Sequence, residues 1–319
     1  MTSSSSDAPI RWGLTEGAAA VDALRQLAAD LAAPPMEVGV AELAALWEFD
    51  AFRFTCPRPH DMEEFPTLSE RLRGAVGVAL YGQPQPRTAT GWPRPHACDV
   101  LFADTLAEAV PGDPAKPLIV RGWINGDTLH AEIRIFGSAM GWRDEAAAAM
   151  LQALRAGIAL RGGPRAMRVA MEPQAMVHRR SSFVEVPRGA RTAWLRFRTP
   201  VVVRRGSVVQ GAPAAVLAAA QGRVARMAAW QGCRLATDRS WFDRQLAAAD
   251  IVTEGWHRVA WERFTRNQRS TPVPVEGYLG DLRVTGASRD LLLLLALART
   301  CHIGSQAALG MGWFEMIFD

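Results

Sequence analysis

Apolar residues recur along this chain with two periods, and the switches between them mark out helices and strands. Leu14, Val21, Leu24, Ala28 and Leu31 share a face at helical spacing. That predicts an amphipathic helix over residues 14–33, stopped by Pro34-Pro35. Phe52, Phe54 and Cys56 alternate with Arg53 and Thr55, which predicts a strand over residues 47–56. After a loop at 57–66, Thr67 opens a helix that buries Leu68, Leu72, Val76 and Leu80 and ends near Tyr81. Glu70 stands three residues after Thr67, the spacing of a capping box. A Pro/Gly-rich loop covers 82–95. Strands are expected at 118–123 and 129–136, turned by Asn125-Gly126. Asp144 caps an Ala-rich helix that ends near Gly157, and residues 165–171 read as a closing strand.

The order is β-α-β-β-α-β, and the second half repeats it. Strands are expected at 193–199, 256–264, 278–284 and 312–318, with helices at 213–230 and 291–300. The expected fold class is α+β: two tandem ferredoxin-like modules, also described as RRM-like. The division is an N-terminal helical extension (1–45), a first module (46–172), a linker (173–191) and a second module (192–319). An insertion at about 231–255 interrupts the second module.

Charge is distributed unevenly. Residues 1–110 carry 8 Arg against 15 acids, whereas 111–319 carry 27 Arg and Lys116 against 17 acids. Between Arg155 and Arg205 stand 12 Arg and only Glu172 and Glu185 as acids. Such density repels itself unless a polyanion neutralises it, which points to nucleic acid. Lys116 is the chain's single lysine, and its context excludes a Walker phosphate loop. The longest apolar run, Leu291 to Ala298, is too short to span a bilayer. The start, Met1 to Ser6, lacks the regions of a secretory signal, so a cytoplasmic protein without membrane attachment is expected. Cys56, Cys98, Cys233 and Cys301 form no CxxC pair and read as buried reduced thiols.

The C-terminus carries the most specific pattern. Gly277-Tyr-Leu-Gly280 opens a strand, the apolar helix follows, and Cys301-His-Ile-Gly304-Ser-Gln-Ala-Ala-Leu-Gly310-Met-Gly312-Trp-Phe leads into the last strand. This resembles the glycine-rich C-terminal signature of CRISPR repeat-processing endoribonucleases of the RAMP superfamily. Three weaker segments agree: Arg263-Phe-Thr-Arg266-Asn-Gln-Arg269, Phe65-Pro-Thr-Leu-Ser-Glu-Arg-Leu-Arg73-Gly74, and Phe197-Arg-Thr199-Pro200. The resemblance runs from residue 46 to 319. Glycines at 304, 310 and 312 permit positive φ, and exposed amides in such a loop could form an anion nest. A dinucleotide loop is excluded because these glycines precede a strand.

The resemblance implies an endoribonuclease that needs no cofactor or metal and cuts CRISPR repeat RNA to give crRNA. The substrate's 2′-hydroxyl would attack the neighbouring phosphate, leaving a 2′,3′-cyclic phosphate. Histidine suits the proton steps and arginine the phosphate. Of six histidines, His130 and His257 read as structural, and His96 and His178 lie in loops without informative neighbours. His60 and Arg73 are the catalytic candidates. His60 follows the first strand beside Asp61, Glu63 and Glu64, and Arg73 lies in the matched Arg-Gly pair. An arrangement with no catalytic histidine stays open. The candidate RNA contacts are Arg179, Arg180, Arg263, Arg266, Arg269, His302, Gly304, Ser305, Gly310 and Gly312. Partners would be repeat RNA and other subunits of a CRISPR effector complex. Two alternatives remain: a non-catalytic crRNA-binding RAMP subunit of such a complex, and an unrelated ferredoxin-like enzyme.

Overall fold

The computed structural model describes residues 14–64, 67–89, 91, 93–102, 115–161, 167–263 and 272–319. The chain opens with helix α1 (Ala18–Ala32), strand β1 (Met36–Val38) and helix α2 (Val40–Leu46). The first module then comprises β2 (Phe49–Pro57), α3 (Leu68–Tyr81), the short α4 (Ala97–Leu101), β3 (Leu118–Asn125), β4 (Thr128–Phe136) and α5 (Arg143–Ala156). A small ribbon, β5 (Ile158–Ala159) with β6 (Arg168–Val169), precedes β7 (Ala175–Ser181). The second module begins at β8 (Thr192–Phe197). A hairpin, β9 (Arg204–Arg205) and β10 (Val208–Val209), leads to α6 (Pro213–Ala228). β11 (Cys233–Leu235), α7 (Arg239–Ala247), β12 (Asp250–Arg263), β13 (Val273–Thr285), α8 (Arg289–Cys301) and β14 (Phe314–Phe318) complete it.

Each module forms a four-stranded antiparallel sheet. The orders are β3-β4-β2-β7 and β12-β13-β8-β14, the ferredoxin-like arrangement in both cases. In β2 the alternation sends Phe52, Phe54 and Cys56 to the helical side and leaves Arg53 and Thr55 on the open face.

Several boundaries differ from the sequence expectation. The closing strand of the first module is β7, inside the segment expected as a linker. Of the expected strand at 165–171, residues 165 and 166 lie outside the described residues; among the described ones, Arg168–Val169 is extended and pairs with Ile158–Ala159. β7 escaped detection because it is an edge strand, exposed along nearly its whole length and lacking an apolar alternation. The N-terminal extension is not purely helical: β1 pairs in parallel with β11 across almost two hundred residues. The expected insertion therefore supplies β11 and α7, and its last residues already belong to β12. The hairpin turn is Gly126-Asp127, since Asn125 still pairs with Thr128. Thr67 forms no cap hydrogen bond, and Trp142 rather than Asp144 precedes the first residue of α5.

Helix α8 explains how the modules join. Leu291 to Ala298 are all buried, which is why the helix is apolar on every side. Ser288 caps its start, accepting from the Leu291 amide at 3.1 Å. Its last carbonyls receive side chains from beyond the helix: Arg134 Nη1 donates to Thr300 O at 2.7 Å and Arg223 Nε to Cys301 O at 3.2 Å. Trp47 Nε1 adds a bond to Thr300 Oγ1 at 2.8 Å. Cations at a helix C-terminus also oppose its macrodipole favourably. One continuous apolar core extends through both modules, and all four cysteines are buried free thiols. Among the described residues no helix is long and apolar enough to cross a membrane.

Candidate nucleic-acid interface

The open face of the first sheet meets the edge of the second along β14. Register places Arg121, Glu132 and Arg53 side by side, with Trp123 and His130 one step along. Glu132 is buried and holds three guanidiniums. Its Oε1 accepts from Arg121 Nε at 2.8 Å and Arg134 Nε at 2.7 Å, and its Oε2 accepts from Arg53 Nη2 at 3.0 Å. Burial alone would raise the Glu132 carboxyl. Arg134 and Arg121, with hydrogen bonds from Arg121 and Arg53, hold it well below the usual carboxylate range. Burial, then the repulsion of Arg134, lowers Arg121 to about 9.

Aromatic rings interleave with these cations. The Arg121 guanidinium lies 4.3 Å from the Trp313 ring centroid and 4.8 Å from Trp123, and Arg53 lies 5.0 Å from Trp123. Trp123 and Trp313 are 5.6 Å apart, and His130 stacks on Trp123 at 4.9 Å. A cleft of about 730 Å³ opens between the modules, lined by Arg53, Arg121, Trp123, Arg198 and Trp313. A neighbouring recess of about 470 Å³ adds Phe49, Arg134 and Arg299. Guanidiniums grip phosphates with paired hydrogen bonds, and indole rings stack on bases. This combination suits a single-stranded nucleic acid.

The residues singled out from sequence fall elsewhere. The His60 side chain is 95% exposed in its loop and bonded through Nδ1 to Asp61 at 2.9 Å. Arg73 lies on α3 with its guanidinium 4.4 Å from the Phe102 ring centroid. Neither lines the cleft. Arg179 is exposed on β7 opposite Ala51, on the open face, whereas Arg180 projects to the other side and pairs with Glu48 at 2.8 Å. Arg263 ends β12 beside Glu70. Arg266 and Arg269 lie outside the described residues. His178 is not in a loop: it sits on β7, stacked 4.4 Å from Phe52 and bonded to buried Asp50 at 2.9 Å.

The glycine-rich loop requires the clearest correction. His302 is completely buried, so in this structure it presents no surface for RNA. Burial, reinforced by Arg134, Arg121 and Arg223, holds its pKa well below the usual value, and the ring is neutral. Gly304, Gly310 and Gly312 do have positive φ, but a Cβ on each would strike protein. The first obstacles are Val202 O at 2.4 Å, Ser69 Cβ at 2.6 Å and Ile303 O at 1.9 Å respectively. The amides of Ser305, Gly310 and Gly312 are bonded to Val202, Ala307 and Pro200 carbonyls. The loop is thus packed as a joint between the modules, its glycines allowing backbones to meet, rather than opened as a nest of free amides.

Glu70, expected to close a capping box, instead faces Trp261 and Arg263 of the second module. Burial raises its carboxyl to about 7, against the lowering influence of Arg263, Trp261 and Arg71.

A family profile described as CRISPR-associated endoribonuclease Cas6 matches residues 195–314, most of the second module. No curated protein sequence matches. Among solved structures, a Cas6 product complex is 16% identical and covers 85% of this chain and 99% of its own at a TM-score of 0.50. A Thermus thermophilus Cas6 is 12% identical over 85% of this chain and 99% of its own, with a TM-score of 0.45. The likeness to the product complex extends the shared fold across both modules, beyond the segment the profile matches. The second module is thus similar to the Cas6 endoribonuclease profile, and the two-module fold is similar to that of the Cas6 product complex.

Proposed function

We propose that this chain binds CRISPR repeat RNA in the cleft between its two sheets and cuts it to give crRNA. The observation that carries this reading is the cleft itself, where guanidiniums of Arg53, Arg121 and Arg198 stand among the rings of Trp123 and Trp313. Arginines position phosphates and the indoles hold unpaired bases. The cut uses the RNA's own 2′-hydroxyl. Its oxygen bonds to the adjacent phosphorus as the bond to the 5′-oxygen breaks, giving a 2′,3′-cyclic phosphate and a 5′-hydroxyl. One proton leaves the 2′-oxygen and one reaches the 5′-oxygen. No metal is needed to generate the nucleophile. His60 is the proposed proton acceptor: Asp61 holds Nδ1 and leaves Nε2 outward. Arg73 and Arg179 are proposed to contact phosphate, with Arg263, Arg266 and Arg269 continuing the path. The chain is proposed to stay with crRNA alongside other effector subunits.

The test is cleavage of the cognate repeat RNA with EDTA present, using RNA with and without a 2′-hydroxyl upstream of the scissile phosphate. The deoxy substitution should abolish cutting and leave binding almost unchanged. Normal cutting of the deoxy RNA eliminates internal attack. His60→Ala should slow cleavage by roughly 10²–10⁴. If His130→Ala, beside Trp123, causes that loss instead, the proton role moves to His130.

A second reading has one observation in its favour. Among the described residues, no histidine lines the cleft or its neighbouring recess. A crRNA-binding subunit without nuclease activity would bind the repeat with the same salt dependence and leave it intact.

A further inference from the structure

The recess of about 470 Å³ beside the inter-sheet cleft is continuous with it, since Arg121, Trp313 and Glu315 line both. Among the described residues β14 pairs only with β8, and it borders this recess together with the end of α8.

Among the described residues three guanidiniums line the recess, and two are already committed. Arg121 is buried against Glu132 and lies over the Trp313 ring, and Arg134 bonds to Glu132 and to Thr300 O. Arg299 is different. It is exposed, and among the described residues its side chain has no hydrogen bond or ion pair. Its fork of N–H groups is open to whatever enters. Glu315 supplies the opposite chemistry. Its Oε2 accepts from Arg198 Nη2 at 2.6 Å, and its Oε1 has no partner among the described residues.

An open guanidinium beside an open carboxylate oxygen restricts what can bind. The guanidinium needs acceptors, best as two side by side, and the carboxylate needs donors. A bare phosphate satisfies the first and is repelled by the second. Among the four RNA bases, guanine alone carries two neighbouring acceptors, O6 and N7, and two neighbouring donors, N1–H and N2–H. Adenine and cytosine offer one amino group beside a ring acceptor, and uracil one imide N–H between two carbonyls. Phe49 and Trp313 give a flat base apolar surface. The volume also falls within the range of about 300–1,000 Å³ common to small-ligand pockets.

We propose that the recess takes one guanine from the RNA strand held in the cleft, with Arg299 donating to O6 and N7 and Glu315 accepting from N1–H and N2–H. The proposal rests on the reading that the chain binds RNA in the cleft, and it adds a point at which sequence is read there.

The test uses the full chain and single-stranded RNA octamers: octauridine, and octamers with one guanosine placed among uridines at each position in turn. Affinities are measured by fluorescence anisotropy, in competition with labelled octauridine. The wild-type chain should prefer at least one guanosine octamer by roughly 5- to 100-fold, the worth of a good bidentate base contact. Replacing that guanosine by 7-deazaguanosine, which lacks N7, or by inosine, which lacks the N2 amine, should each remove part of the preference. Arg299→Gln should abolish the preference and with it the effect of the 7-deaza change, whereas Arg299→Lys, a point charge without the fork, should not restore it. An Arg299→Gln chain that keeps the guanosine preference, whether or not its overall affinity falls, overturns the assignment. So does a wild-type chain indifferent to both modified bases, a result that does not depend on how any variant folds. Salt-dependent binding of every octamer without a guanosine preference overturns the recess and leaves the cleft reading standing. No salt-dependent binding of any octamer overturns both.

Discussion

Replacing Glu132 with Gln tests whether one carboxylate holds the cleft together. Glutamine keeps the shape and one acceptor oxygen but removes the charge and turns an amide donor toward guanidiniums that are themselves donors. Three arginines then face one another around a neutral residue. Their exposure decides which can relax. The Arg53 side chain is 40% exposed and can swing into water, but Arg121 is 5% exposed and Arg134 is 13% exposed. Breaking a buried ion pair by removing one partner costs about 3–5 kcal/mol. With one of three arginines free to escape, the lower end is expected, about 3 kcal/mol. For a chain of this order that lowers Tm by about 6–12 °C, at roughly 2–4 °C per kcal/mol. Thermal and urea unfolding at low salt measure it. On the proposed reading, an RNA held at a hundred times its Kd should add about 2.7 kcal/mol to either form, by mass action. The pH sign follows from the depressed carboxyl. Glu132 contributes stability above the ordinary carboxylate range and loses it as pH falls toward its lowered pKa, so the variant should lack that acid limb. A loss under about 1 kcal/mol at neutral pH would refute the reasoning, because the arginines would then be stable without an anion among them.

Two further outcomes follow from the seam between the modules. Glu70 is raised from 4.5 to about 7 by burial, so the folded state binds a proton that the unfolded state has released. Stability should fall as pH rises from 4.5 to 7, by about 3 kcal/mol at 1.36 kcal/mol per unit. Glu70→Gln should flatten that slope in urea titrations, and an unchanged slope removes Glu70 from the account. Gly310→Ala puts a Cβ at φ 78° and 2.6 Å from Ser69 Cβ. It should destabilise by about 1–3 kcal/mol through backbone strain, with more from the clash, and a neutral melting curve would contradict the packing role of that glycine.

The repeated ferredoxin-like order was legible because most core strands announce themselves through alternation, as Phe52, Phe54 and Cys56 do in β2. β7 was not, because an exposed edge strand carries no such signal. Gly304, Gly310 and Gly312 do take positive φ, but spacing could not tell whether those glycines approach a ligand or another backbone. Only the positions of Val202 and Ser69 decide that. The cleft residues were partly visible. Arg121-Gly-Trp123 and His130-Ala-Glu132-Ile-Arg134 alternate on two paired strands, which places them on one face. The register joining Arg53, Arg121 and Arg134 to a single Glu132 depends on strand order, and the contact with Trp313 depends on how the modules dock. Neither follows from local pattern.

The side chains that close the end of α8 have a mechanical consequence. Trp47 and Arg134 come from the first half of the chain, yet they hold the last turn of a helix in the second. A jaw-like opening of the cleft would strip those carbonyls of their donors and tear a continuous apolar core. The two walls therefore behave as one rigid mould, whose shape is settled when the protein folds. On the proposed reading, a nucleic-acid strand entering it has to conform to walls already in place, and the ordering entropy of binding falls mainly on the strand rather than on the protein.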